Sequence, residues 1–120
     1  MSEHRYTTGE RRTHLLELEL SLERLLAAIQ KTGQCVEYAP QFENALSRTR
    51  ELMAVGFDQE ALTALSKAIP KLFDLHPHWV PPSEIGPNGQ HRICPWFTTL
   101  EPLDQAVTQC GERLRVVGFY

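Results

Sequence analysis

Apolar residues spaced alternately three and four positions apart constrain the fold of this chain more than any other sequence feature. A repeat of about 3.5 residues places apolar side chains along one side of a helix, whereas a half-buried strand needs strict alternation. The pattern therefore predicts an all-α fold with four helices. The four stripes are Leu15, Leu18, Leu22, Leu25 and Ile29; Phe42, Ala45, Thr49 and Leu52; Leu62, Leu65, Ile69 and Leu72; and Leu100, Leu103, Val107, Cys110, Leu114 and Val117.

Residues that start or stop helices set the limits of these segments at about 8–32, 40–55, 59–74 and 99–117. Thr7 with Glu10 has capping-box spacing, Gly33 can end the first helix, and Asp58 can cap the third. Helices with one shared repeat cross at shallow angles, so we predict a four-helix bundle. The 120 residues fit a single domain, 1–120, in which we expect residues 1–7 to be flexible.

Two residues disturb the predicted helices. Pro70 cannot donate a hydrogen bond to the Ser66 carbonyl, so the third helix should kink or restart there. Gly111 costs about 1 kcal/mol of helix stability relative to alanine, and a close contact between helices would explain it.

Residues 76–97 (HPHWVPPSEIGPNGQHRICPWF) are predicted to form one long loop between the third and fourth helices. The run Gly86-Pro87-Asn88-Gly89 indicates a turn within this segment. A loop of this length is uncommon in a compact domain and is usually functional or partly disordered.

Four side chains of this loop are candidate zinc ligands: His76, His78, His91 and Cys94. Together they supply the four nitrogen and sulfur ligands of a tetrahedral site, although their spacing is not that of a zinc finger. The alternative is that the histidines are surface residues and Cys94 is a small buried apolar residue. A zinc- or small-ligand-binding domain that uses loop 76–97 is therefore the alternative function.

Leu16 and Leu20 lie off the apolar stripe of the first helix, so that helix should be covered on two sides. Trp79 and Trp96 of the loop could cover this second side. Otherwise it would bind another protein or a second copy of the chain, because exposed apolar patches usually mark interfaces. Tryptophans are frequent interface anchors. The candidate partner-binding residues are therefore Leu16, Leu20, Trp79 and Trp96.

Charge and motifs exclude several classes of function. The chain has 12 basic and 15 acidic residues and a net charge of −3, which makes nucleic-acid binding unlikely on electrostatic grounds. Glu17, Glu19, Glu23 and Asp104 are expected to be solvated surface charges, and an acidic face would steer a basic partner. The sequence has no dinucleotide-, phosphate- or zinc-protease motif, and the predicted core positions are apolar apart from Thr49 and Cys110. We therefore expect a protein without catalytic activity or cofactor.

The remaining expectations concern location and class. The chain has no apolar run of ~18 residues that could span a membrane and no signal-peptide pattern. Its three cysteines form no paired motif, so a reducing, cytoplasmic setting is expected. In size, acidity and lack of catalytic motifs the chain is similar to small all-helical immunity, antitoxin and regulatory proteins of bacteria. This is a likeness of class only, because no motif carries it. The sequence thus predicts a small interaction or regulatory protein.

Overall fold

The chain is mostly helical, as predicted. The computed structural model describes residues 7–73 and 81–116. Within these ranges there are four α-helices, a short 3₁₀ turn and two short strands. They are α1 (Thr8–Thr32), the 3₁₀ turn (Val36–Tyr38), α2 (Ala39–Val55), α3 (Gln59–Ala68), β1 (Ser83–Ile85), β2 (His91–Ile93) and α4 (Pro95–Arg115).

Local capping residues determine both ends of α1. The Thr7 hydroxyl accepts a hydrogen bond from the Glu10 backbone N–H at 3.1 Å, and the Glu10 carboxylate accepts one from the Thr7 N–H at 2.9 Å. Gly33 ends the helix in the left-handed conformation, with φ 69°, and donates its N–H to the Ile29 carbonyl. The limits of α1 are thus the predicted ones. Of the expected flexible segment 1–7, residues 1–6 lie outside the described residues.

A turn of three residues joins α2 to α3. Gly56 has φ 107°, a conformation that other residues rarely adopt, and its N–H bonds to the Leu52 carbonyl. The Asp58 carboxylate accepts from the Ala61 N–H at 2.8 Å and caps α3 as predicted. Between them, Phe57 packs against the core.

Two predicted helix limits are wrong, and in both cases a proline sets the observed limit. The third helix ends at Ala68 rather than at 74, and Ile69 is extended because a residue before proline is sterically excluded from the helical region. The fourth helix begins at Pro95 rather than at 99, since proline suits the first turn of a helix. It ends at Arg115, and residues 117–120 lie outside the described residues.

The prediction of an uninterrupted loop over 76–97 is also wrong. Strands β1 and β2 pair antiparallel, with Glu84 opposite Arg92 at the centre of the hairpin. The predicted turn at 86–89 connects them: the Gly89 N–H donates to the Gly86 carbonyl at 2.9 Å, and Gly89 has φ 76°. Strands of three residues are too short for alternation to be recognised in a sequence.

The core lies along α1, which packs against both α2 and α4, while α3 packs against α4 and α2. The whole apolar stripe of α1 is buried. Further core residues come from the other helices, and those of α2 and α3 include Phe42, Ala45, Leu46, Leu52, Leu62 and Leu65.

The buried side of α4 differs from the predicted one. The buried residues are Phe97, Leu100, Asp104, Val107, Gly111 and Leu114, whereas Leu103 and Cys110 are only partly buried. Gly111 lies on this buried side, where an added Cβ would come within 3.2 Å of the Ile69 Cδ1. A glycine thus allows the chain after α3 to approach α4 closely, which is the close contact that its position suggested.

A buried arginine joins the start of α1 to the end of α4. Arg11 is only 5% exposed, and its guanidinium donates to the carbonyls of Arg113 at 2.9 Å and Val116 at 2.5 Å. It also donates to the side-chain oxygen of Gln59 at 2.8 Å. The Arg113 carbonyl also accepts the Val116 N–H at 3.2 Å, so Arg11 adds a second hydrogen bond at the C-terminal end of α4, where a cation interacts favourably with the helix dipole.

We expect Arg11→Met to lower the free energy of unfolding by about 2–4 kcal/mol, because the variant removes the hydrogen bonds of a buried guanidinium to the carbonyls of Arg113 and Val116 and to Gln59. Denaturant unfolding monitored by circular dichroism measures this. The matched control is Arg12→Met, whose exposed guanidinium bonds to the Met53 carbonyl, and here we expect a loss below about 1 kcal/mol. Equal effects of the two substitutions would contradict the structural role of Arg11.

Candidate partner-binding surface

The outer side of α1 carries two exposed leucines. Leu16 is 48% exposed and Leu20 is 42% exposed, although the opposite side of the same helix is fully buried. Residues four apart on a helix are neighbours, so the two side chains form one apolar patch. We call Leu16 and Leu20 the leucine patch.

Ion pairs border the leucine patch on both sides. Towards α2, Arg50 donates to Glu19 at 2.9 Å and to Glu23 at 2.7 Å. Towards α4, Arg113 donates to Glu17 at 2.5 Å. Exposed pairs of this kind add little to folding stability. An apolar centre inside a polar, charged border is, however, the usual composition of a protein interface.

Trp96 is placed far from the leucine patch. It is half-buried in an aromatic cluster, with its ring centroid 6.4 Å from those of Phe73 and Phe97. Helices α1 and α4 run antiparallel, and the Ser21 hydroxyl of α1 lies 3.6 Å from the Cys110 thiol of α4. Trp96 precedes Cys110 by 14 residues, which is about 21 Å along a helix. The structure therefore does not bring Trp96 together with Leu16 and Leu20, and Trp79 lies outside the described residues.

The predicted zinc ligands are only partly described. His91 is exposed on β2 and Cys94 is half-buried just before α4, whereas His76 and His78 lie outside the described residues. Within residues 7–73 and 81–116 no three His, Cys, Asp or Glu side chains are grouped to hold a metal ion. Zinc binding stays a prediction, which elemental analysis of the purified protein would test.

A groove runs between α1 and α2, next to the leucine patch. Its volume is about 420 Å³, within the range of sites that bind small molecules or side chains. Neither the apolar stripes nor a motif indicated it, because it depends on how the two helices and the 3₁₀ turn pack together. The lining residues are Glu23, Leu26, Ala27, Ile29, Gln30, Val36, Ala39, Glu43 and Leu46.

Asp104 is not the solvated surface charge that we expected. It is 4% exposed, and its carboxylate accepts a hydrogen bond from the Leu72 N–H at 3.1 Å. Burial raises the pKa of Asp104, although hydrogen bonds from the Leu72 and Phe73 backbone oppose this rise. Its position four residues after Leu100 and three before Val107 was the signal that it lies on the buried side. Asp104 thus anchors the segment that follows Pro70 to α4.

We expect Asp104→Leu to lower the free energy of unfolding by about 1–3 kcal/mol, because the Leu72 N–H loses its acceptor. Asp104→Asn keeps an acceptor and should be better tolerated. Since folding raises the pKa of Asp104, its contribution to stability is present at low pH and is lost as pH rises through the folded pKa. Wild type should therefore gain stability relative to Asp104→Asn as pH falls. Urea unfolding of both proteins between about pH 7 and pH 4 measures this, and a difference that does not change with pH would contradict it.

Comparison of the chain with models of protein families, with curated proteins and with solved structures gives no match. None of the described helices is long and apolar enough to cross a membrane. Function is therefore inferred from the residues of this chain.

Proposed function

We propose that this chain is a small non-catalytic interaction or regulatory protein, in which the four helices form a bundle and the outer side of α1 binds another protein or a second copy. The observation that carries the proposal is the leucine patch. Leu16 and Leu20 stay exposed while charged pairs border them on both sides. Contiguous apolar surface with a polar border is characteristic of interfaces.

The buried polar residues support a role without catalysis. Arg11 and Asp104 hold backbone groups, and the Thr49 hydroxyl donates to the Ala45 carbonyl at 2.7 Å. Among the described residues, no buried side-chain nitrogen or oxygen lacks a hydrogen-bond partner. Asp104 also lines a cleft of about 230 Å³ with Lys71 and Glu101, the usual setting of a catalytic group, but its carboxylate is already bonded to the backbone of Leu72 and Phe73. These side chains are therefore accounted for by structural roles.

Trp96 does not cover the leucine patch, so among the described residues the patch stays open to a partner. The described residues on either side of 74–80 lie near the start of α4. Phe73 contacts Trp96, and the Pro82 carbonyl accepts a hydrogen bond from the Cys94 N–H. The leucine patch lies beside the opposite half of α4, near Cys110 and Arg113. The similarity in class to bacterial immunity and antitoxin proteins is consistent with this proposal.

The test places a photo-crosslinking amino acid at Leu20 and, as control, at Val55, which is also exposed and apolar but lies at the end of α2. We expect crosslinks from position 20 only, either to a second copy or to one partner in cells that express the protein natively.

Leu16→Glu with Leu20→Glu should abolish the interaction and should change the free energy of unfolding by less than about 1 kcal/mol, because both side chains are exposed.

Light scattering after size-exclusion chromatography separates the two kinds of partner, since a second copy doubles the measured mass. A strictly monomeric protein that gives no crosslink from position 20 would refute the proposal.

A further inference from the structure

The groove between α1 and α2 has an apolar floor. Leu26, Ile29 and Leu46 line its base and belong to the core or pack against it. Its volume of about 420 Å³ gives room for a bulky apolar side chain. All nine lining residues belong to the described part of the chain.

One wall of the groove is an exposed valine. Val36 is 53% exposed and stands at the start of the 3₁₀ turn that precedes α2. The turn begins at Cys35 in the left-handed conformation, with φ 61°, and the Tyr38 N–H closes it on the Cys35 carbonyl at 3.0 Å. This conformation is uncommon for residues other than glycine. The backbone thus holds an apolar side chain at the edge of the groove, where water covers it in the free protein.

The charges along the groove are predominantly negative. Glu23 and Glu43 line it, and Glu19 stands beside Glu23 because both bind Arg50. The residues that line the groove include these two glutamates and no lysine or arginine, and Glu23 shares Arg50 with Glu19. The basic residues Arg24 and Lys31 of the same half of α1 do not line the groove. A ligand with basic groups beside an apolar side chain is therefore complementary to it.

The groove is continuous with the leucine patch. Leu16, Leu20, Glu23 and Ala27 follow one another at steps of four, three and four residues, so they lie along one side of α1. From Leu16 to Ala27 is about 17 Å, or roughly three turns of a helix. A helix laid along α1 would contact the leucine patch and the groove together, in the manner of amphipathic helices that bind to apolar grooves.

We propose that the groove binds a basic amphipathic helix of the partner protein, with one bulky apolar side chain inserted over Leu26 and lysine or arginine side chains beside Glu23 and Glu43. The inference rests on the proposed function, because it specifies which part of the partner the surface of α1 binds. Apolar insertion provides affinity, and the carboxylates select a basic helix against an acidic one.

The probe is a fluorescein-labelled amphipathic peptide of leucine, alanine and lysine, titrated with the whole protein and followed by fluorescence anisotropy. One control peptide replaces every lysine with glutamate, and a second has the same residues in scrambled order. We expect the basic amphipathic peptide to bind at least ten times more tightly than either control, with affinity that decreases as salt is added. Equal binding of the scrambled peptide would show unspecific charge attraction and would overturn the proposal.

Matched variants locate the binding site. Glu43→Lys should weaken binding at least tenfold, and Ala27→Tyr should do the same by filling the groove. Glu51→Lys makes the same change of charge on α2, but at a residue that pairs with Arg48 and does not line the groove, so its effect should stay within twofold. Equal losses from Glu43→Lys and Glu51→Lys would overturn the assignment to the groove.

Other occupants give distinct results. If a peptide of residues 74–80 displaces the basic probe, the groove belongs to the chain's own segment and the proposal is wrong. If the protein is a dimer that Glu43→Lys dissociates, the occupant is a second copy and the proposal is again wrong. Crosslinking from position 20 without any peptide binding would refute helix binding in the groove and leave the role of the leucine patch intact. Specific peptide binding without crosslinking supports the groove and refutes the role of the leucine patch.

Discussion

The burial of the leucine stripe of α1 is the interaction on which the rest of the structure depends. Leu15, Leu18, Leu22 and Leu25 are fully buried between α2 and α4. Removing a leucine side chain from water stabilises the fold by roughly 1.5–3 kcal/mol, so these four residues make a large share of the net stability of a small domain. Because α1 packs against both α2 and α4, its buried side determines which of its residues remain outside.

Buried polar groups then fix how the ends of the helices meet. Arg11 brings the start of α1 to the end of α4, and Asp104 holds the chain after Pro70 against the middle of α4. Each is a charged group whose burial is tolerable because hydrogen bonds satisfy it. Replacing either with an apolar residue removes hydrogen bonds to backbone groups, so these residues make the arrangement specific as well as stable.

The outer surface of α1 follows from the same packing. With one side of the helix buried and both flanks held by ion pairs to α2 and α4, Leu16 and Leu20 remain on the exposed side. The groove beside them forms because the turn at Cys35 holds Val36 away from the core while Leu26 and Leu46 form a base. The surface proposed to bind a partner is therefore a consequence of how the core is built.

Local chemistry in the sequence determined the helices, the caps at Thr7 and Asp58 and the turn at 86–89. These features depend on residues within a few positions of one another, so they can be recognised without knowledge of the fold. Spacing along one helix placed Leu16 and Leu20 off the buried stripe, but it left open whether the loop or a partner covers them. Only the tertiary structure decided that Arg11 and Asp104 are buried, that Trp96 lies about 21 Å from the level of Leu20, and that α1 and α2 leave a groove between them. When apolar residues recur at spacings of three and four, more than one side of a helix can be buried. The neighbouring helices decide which side is buried. On α4, the selected side includes Gly111, where an added Cβ would come within 3.2 Å of the Ile69 Cδ1.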